Sequence, residues 1–424
     1  STRKEIDLAN QKRYNLLLLF MIITSGLSGY LSQFPDNPAA SAWRQGWEIE
    51  IPLLTSQLTA QNSLLRFSDL ELFNKTRNQD NKTLSESEKK MLTASDLHVR
   101  GGGEAVILSG GFRNYQLKIS TNAFFTGKIL DKQYTRLALY GNQTNHDYNF
   151  TAGEGSRGHA YVKLSLSAAM PDEFFLEKLL GISTDSAFWK NQLNASLALG
   201  INVNFYYPLK YGKLDRSRQH FGSFTDSLYY DYEAAYHYTD EESSGNLGMG
   251  FGLGLLFKYP LGEFSLHLDD ILARMNLKNL AGGAYDGTFV DYLLYFHSDD
   301  YDPFDESSEN DSLRLAHKTV KFSPTLRMEL IHEFYRNLYL KTSYSSSDHE
   351  YTRGFTAGIG CTINRKIPLE ISFGFKPQIS YQIMSGYQSR KIDILVFTTF
   401  YHGFFNHAKG LSLGSRIVWK FGTQ

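Results

Sequence analysis

The sequence predicts an all-β protein, a transmembrane antiparallel β-barrel of about 14 strands with short inserted helices. Three observations carry this. Segments of about ten residues repeatedly alternate an apolar residue with a polar or small one. Aromatic residues are abundant, with 27 Tyr and 30 Phe, whereas Pro is scarce at 10, a composition that favours long strands. After residue 30 no stretch approaches the roughly 18 consecutive apolar residues of a transmembrane helix. Such a chain can cross a bilayer only as a closed barrel, because lipid offers no partner to an unpaired backbone group.

A length of 424 residues suits one barrel with large loops. The 43 basic and 44 acidic side chains nearly cancel, which removes any bulk electrostatic case for a nucleic-acid partner. The single cysteine, Cys361, excludes an intrachain disulfide and a cysteine metal cluster. At the start, Lys4, Lys12 and Arg13 precede an apolar core from Leu16 to Ile23, and Thr24, Ser25, Gly26 and Ser28 follow it. This is the order of a secretory signal peptide, expected over residues 1–30 with cleavage between Gly26 and Leu31.

The clearest strand runs from Asn194 to Tyr206, with Ala195, Leu197, Leu199, Ile201, Val203 and Phe205 on one face and Asn202 and Asn204 on the other. From Gly248 to Lys258, Met249, Phe251, Leu253, Leu255 and Phe257 face outward, which turns Gly248, Gly250, Gly252, Gly254 and Lys258 inward. An inward row of glycine lets something pack close to the wall. The same period places Lys163 inward in the strand Ala160 to Ala168, and Arg416 and Lys420 inward in the strand Leu411 to Phe421. It recurs at Tyr115 to Phe125, Phe355 to Asn364 and Leu369 to Phe375. Weaker strands are expected near Trp47 to Leu53, Glu104 to Phe112, Thr135 to Tyr140, Ser227 to His237, Phe264 to Leu268, Phe322 to Phe334, Leu338 to Tyr344 and Lys391 to Phe400. Phe205-Tyr206-Tyr207, Tyr229-Tyr230 and Phe404-Phe405 are expected at strand ends, as aromatic girdles at the two water interfaces.

Two segments read as helices, residues 84–96, where Ser85 and Glu88 have capping-box spacing, and residues 171–189, opened by Pro171 and Asp172. Seven carboxylates crowd residues 298–311. Asp300, Asp302 and Asp305 there form a candidate calcium loop, although the glycine and terminal Glu of an EF-hand are missing, so a solvated external loop is favoured and no metal is assigned. No catalytic set emerges. Gly153 to Gly158 matches a dinucleotide fingerprint by letter but precedes a strand, so it reads as a turn; His332-Glu333 lacks a second His; no serine sits in a nucleophile elbow. Lys163, Lys258, Asp269, Arg327, Glu329, Glu370, Arg416 and Lys420 fall on candidate lumen faces, where they are expected to pair across a polar interior. No cofactor is expected and the chain is not expected to be an enzyme.

Asn37-Pro38-Ala39-Ala40, the strand from Trp47 into Pro52-Leu53, Ser68-Asp69-Leu70, the capped helix after Leu84, the strand Ala105 to Phe112, Gly141-Asn142 and the strand ending Tyr207 to Gly212 together resemble a family of bacterial outer-membrane barrel proteins. That family is itself similar to the FadL-type fatty-acid channels and the PorV-type secretion barrels. The resemblance spans residues 37–215 and implies that Asn37, Pro38 and Ala39 belong to a hatch plugging the lumen, so residues 31–46 are expected to be a plug segment and residues 47–424 the barrel. One departure is that Phe421 is followed by Gly422-Thr423-Gln424, where the family closes on an aromatic. That bears on recognition by the barrel-assembly machinery, an expected partner along with the outer-membrane bilayer.

The leading expectation is an outer-membrane channel passing a small, apolar ligand through a plugged lumen without covalent chemistry. Two other functions stay open: a non-transporting barrel that anchors or docks secretion-system or surface-attachment proteins, and a soluble secreted β-sandwich binding carbohydrate.

Overall fold

In a computed structural model the described residues are 37–44, 46–69, 84–141, 143–171, 195–225, 227–292, 307–335, 337–346, 354–364, 366–377 and 379–422. The expected signal segment, the second expected helix beyond Pro171 and the acidic loop with Asp300, Asp302 and Asp305 lie outside them. The strands are β1 (Trp47–Glu50), β2 (Ser56–Asn62), β3 (Leu97–Phe112), β4 (Tyr115–Leu130), β5 (His146–Phe150) and β6 (Arg157–Pro171). They continue as β7 (Ser196–Ser223), β8 (Ser227–Tyr238), β9 (Ser244–Tyr259), β10 (Gly262–Tyr292), β11 (Ser307–Lys321) and β12 (Thr325–Tyr335). The last six are β13 (Leu338–Ser346), β14 (Gly354–Ile363), β15 (Ile367–Pro377), β16 (Ser380–Gln388), β17 (Ile392–Tyr401) and β18 (Gly410–Phe421). A 3-10 helix covers Pro38–Trp43, α1 covers Glu86–Leu92 and α2 covers Lys132–Tyr140.

All of these strands form one sheet, and every pairing is antiparallel to its neighbour. Four pairs of segments lie end to end as interrupted staves: β1 with β2, β5 with β6, β8 with β9, and β11 with β12. The result is a closed barrel of 14 staves. Closure is made where β18 pairs with both β1 and β2, which pair on their other side with β3. Trp47 sits in register with Phe421 on one side and Phe112 on the other, its ring stacked on Phe112 at 4.6 Å. Inside the same seam, the Arg416 guanidinium donates two hydrogen bonds of 3.0 and 2.8 Å to one oxygen of Glu50.

The alternation predicted from sequence is the burial pattern of the wall. Along β9, Gly248, Gly250, Gly252 and Gly254 are buried while Met249, Phe251 and Leu253 are exposed; along β18, Ser412 and Arg416 are buried while Trp419 and Phe421 are exposed. Leu58, Leu253 and Ile359 are 65%, 53% and 60% exposed on the outer surface, which suits a wall immersed in lipid. One end is closed by short turns, such as Arg113-Asn114 and Pro260-Leu261, and carries the exposed girdle of Trp47, Phe112, Tyr115, Trp419 and Phe421. Toward the other end, Tyr344, Phe355 and Phe375 are adjacent in register and exposed.

Most staves from β13 to β18 have 9 to 12 residues, enough for a bilayer, but β7 has 28 and β10 has 31. Their outer halves pair with β8 and β11, and β5 adds to the far end of β7. A curved sheet therefore projects past the band at the long-loop end. Its two faces differ. Tyr230, Tyr232, Tyr236 and Tyr238 alternate on β8 with Asp231, Glu233 and His237.

Several expectations need correction. Thr135 to Tyr140 is not a strand but part of α2, because Asp131 caps it, accepting from the Gln133 amide at 2.8 Å. The first expected helix is shorter than 84–96: the Ser85/Glu88 capping box is present, and α1 ends at Leu92 because β3 takes the chain from Leu97. Pro171 ends β6 rather than opening a helix. Phe205-Tyr206-Tyr207 is not a strand end, since β7 runs on to Ser223, and Tyr206 points inward and is fully buried.

α1 and α2 pack over the tops of β3 and β4 through Leu64, Leu65, Leu92 and Leu97. Burial alone would raise the Asp131 carboxyl, but hydrogen bonds from the Lys128 ammonium and the Gln133 and Thr151 amides hold it below its ordinary value of 3.8. A depressed folded value means that the cap's contribution is intact above the ordinary value and is lost as pH falls through the lower one. Protection of the α2 amides, taken relative to unstructured amides at the same pH, should therefore hold from neutral pH down to 3.8 and fall only below it. Asp131→Ala should lower that protection by about 1 kcal/mol at neutral pH, lose the pH dependence, and leave the barrel strands protected. Equal protection in the variant would contradict this account of the cap.

Candidate functional site

The 3-10 helix lies within the short-turn end of the barrel. Asn37 is its N-cap, with extended backbone angles, and its side-chain oxygen accepts from the Ala39 amide at 3.0 Å. Pro38 follows at the first helical position, where a missing N–H is harmless. The Asn37 amide nitrogen donates to Ser265 Oγ at 2.7 Å and lies 3.2 and 3.3 Å from the carbonyl oxygens of Leu255 and Leu266. One buried side chain thus bridges β9 and β10. Ala39 and Ala42 pack on Ala169, Ala198 and Leu256 of the inner wall, and Ser41 Oγ donates to the carbonyls of Pro38 and Asn114. Where the chain leaves the lumen, Arg44 pairs with Glu48 at 2.8 Å and donates to the Tyr115 carbonyl at 3.0 Å.

Glycine makes the room for this. A Cβ on Gly254 would overlap the Asn37 amide oxygen and meet Pro38 Cδ at 2.8 Å, and one on Gly200 would overlap the backbone of Pro38 and Ala39. Further along the β9 row, a Cβ on Gly252 would overlap Asn202, and one on Gly250 would meet Ala273 at 2.6 Å. Gly248 is closed by the Arg274 carbonyl of the neighbouring strand. The space beside each predicted inward glycine is therefore occupied, by the helix, by side chains, or by backbone.

Directly beyond the helix lies a polar belt. Lys163 Nζ is 2.8 Å from Asp269 and 3.1 Å from Asp270. Asn204 and Asn202 donate to the other Asp269 oxygen at 2.7 and 3.2 Å, Ser165 donates to Asn204, and Tyr206 donates to Asp270. On the far wall Lys341 sits 3.4 Å from Glu329 and 3.3 Å from Glu370, and Ser372 donates to Glu370 at 2.6 Å. Lys420 pairs with Asp393 near the short-turn rim, and Lys258, next to the last residue of β9 at the same rim, is exposed. The lumenal charges pair with one another. No cluster of three or more His, Cys, Asp or Glu suited to a metal occurs among the described residues.

Above the belt is a layer of aromatic rings. Phe322 stacks on Tyr206 with centroids 4.9 Å apart and meets Tyr161 edge-on at 5.2 Å. His159 joins Phe322 at 5.9 Å and Phe124 at 5.4 Å, and Ala273 and Met275 are buried beneath the rings. Phe322 reaches inward because the stave breaks between β11 and β12 at Phe322-Ser323-Pro324. Opposite the break, Asp270 and Leu272 take positive φ and the β9–β10 register slips three times. Sequence periodicity missed Asp270, Phe124, His159 and the inward turn of Phe322; the one available signal was Pro324, which cannot continue a ladder.

No family model and no curated protein matches the chain. Among solved structures, the chain is similar to the Pseudomonas putida toluene transporter TodX, at 8% identity and TM-score 0.43 over 94% of this chain and 95% of that one. It is also similar to the Ralstonia pickettii toluene transporter TbuX, at 10% identity and TM-score 0.41 over 93% and 94%. A Pseudomonas aeruginosa FadL homologue is similar at 10% identity and TM-score 0.37, covering 91% of each chain. The barrel rests on its closed strand pairing and not on these likenesses.

Proposed function

We propose that the chain is an outer-membrane channel that passes small apolar ligands through its lumen by diffusion, with Asn37, Pro38 and Ala39 as the plug. The observation that carries this reading is the layering of the lumen. Closely packed aromatic rings around Tyr206 and Phe322 make one layer of the lumen apolar, a belt of paired charges lies below it, and a short helix fills the exit. The helix is held by a few hydrogen bonds and small alanine contacts rather than by a strand ladder, so it is the part of the lumen that moves at least cost.

Lys163, Arg416 and Lys420 in this reading stiffen the wall, each held by a carboxylate.

Purified chain reconstituted into lipid vesicles should carry a small aromatic hydrocarbon into the vesicle interior faster than protein-free vesicles do. Equal rates with a correctly inserted barrel would sink the channel and favour the docking alternative. A Gly254→Val variant, whose Cβ competes with Asn37 and Pro38, should raise single-channel conductance severalfold while keeping the heat-modifiable gel mobility of a folded barrel. Unchanged conductance would remove the plug role from the helix.

A further inference from the structure

The outward face changes chemistry where the apolar band ends. On β10 the band ends near Leu272, which is 79% exposed. Just past it Arg274 lies directly opposite Lys321 of β11, and Lys278 lies directly opposite His317. Asn276 and Thr319 fill the row between them, bonded at 2.9 Å. The alternate residues Met275 and Leu277 are fully buried on the lumen side, so these basic groups belong to the outer surface. Arg274, Lys321 and His317 are exposed, and Lys278 is partly so.

Like charges set directly opposite one another work against a sheet. Lys163, Arg216, Arg314, Lys341 and Arg416, by contrast, each face a carboxylate. No ion pair joins Arg274, Lys278 or Lys321 to another described residue. The patch has the form of one half of an interaction whose other half is anionic and lies outside the barrel.

The surface above this row specifies the partner further. Tyr238 is opposite Ala281, which is opposite Arg314, so the basic row leads across the sheet to the tyrosine face of β8. There the Tyr236 ring lies over Gly283 and the Tyr232 ring over Gly287, where a side chain on either glycine would collide with them. Tyr236 stacks on Tyr285 at 5.7 Å and 11°, with their hydroxyls 3.0 Å apart, and on Tyr238 at 5.9 Å. Rings laid flat along a sheet, with Tyr238 and Tyr285 exposed, offer a platform for the apolar faces of sugar rings, and their hydroxyls suit sugar hydroxyls.

We propose that this outward patch binds the head group of an outer-leaflet glycolipid, with Arg274, Lys278 and Lys321 on its phosphates and the Tyr236, Tyr238 and Tyr285 platform against its sugars. The position suits a head group: basic side chains immediately beyond a lipid-facing band meet phosphates at the membrane surface, and the tyrosines continue into the saccharide layer. The proposal rests on the outer-membrane placement above but is independent of the channel and the plug.

The test uses the full chain in a zwitterionic detergent, offered diphosphorylated lipid A, its dephosphorylated form, or phosphatidylglycerol. Lipid A should bind most tightly, phosphatidylglycerol less, and the dephosphorylated form least. Arg274→Gln combined with Lys321→Gln should weaken lipid A binding about 25-fold, at about fivefold per cation removed. Tyr236→Ala with Tyr285→Ala should narrow the preference for lipid A over phosphatidylglycerol without altering phosphatidylglycerol binding. Heat-modifiable mobility shows that each variant is still a barrel. Lipid A binding that is no tighter than phosphatidylglycerol binding, or that is unchanged in the double glutamine variant, overturns the proposal. Failure to insert into bilayers at all would remove the outer-membrane placement along with it.

Discussion

The interior of this barrel depends on how closely two backbones approach each other at β9. Four inward glycines on that strand, with Gly200 on β7, bring the wall within contact distance of side chains and helix that any larger residue would displace. Glycine weakens a strand interior, because it packs nothing and loses more conformational freedom on folding. Here that cost is offset by what the vacated volume admits. Asn37 reaches three acceptors on β9 and β10, Asn202 reaches Asp269, and Ala273 packs beside Tyr206.

The lumen is otherwise organised by the need to satisfy buried charge. Removing Lys163 would leave Asp269 and Asp270 facing each other in a confined space, and removing Glu50 would take from Arg416 the carboxylate to which it donates twice at the closing seam. Breaking a buried pair costs more than the pair contributes, about 3–5 kcal/mol against little or nothing net, so such residues act chiefly as constraints on register. At the seam this constraint coincides with the Trp47 stack on the outside, so β18, β1 and β3 are held together from both faces.

Much of this was legible in the sequence, and the parts that were not have physical reasons. The inward parity of Gly248 to Gly254, Lys163 and Arg416 follows from a period of two, which the wall enforces wherever one side is lipid and the other lumen. Strand length was not legible in the same way. Residues 273–292 of β10 and the whole of β11 lie beyond the apolar band, where neither face must be apolar, so the alternation that marks the barrel wall fades. The positive φ at Asp270, Leu272 and Asn279 also shifts which residues face inward, and none of the three is a glycine that would have signalled it. The aromatic layer was hidden for the same cause, since Phe322 turns inward from a break rather than from a strand. Thr135 to Tyr140 misled because a short apolar run is ambiguous in period, and the deciding feature was the cap at Asp131.

The central claim is that the helix at Pro38 to Trp43 occupies the lumen and is held there by the room that glycine leaves. Thiol labelling of Ala39→Cys, in a Cys361→Ser background and in vesicles, tests it most directly. Labelling should be orders of magnitude slower than at an exposed reference cysteine, and adding Gly254→Val should bring it close to the reference rate. Rapid labelling of Cys at position 39 in the otherwise unaltered barrel would contradict the account.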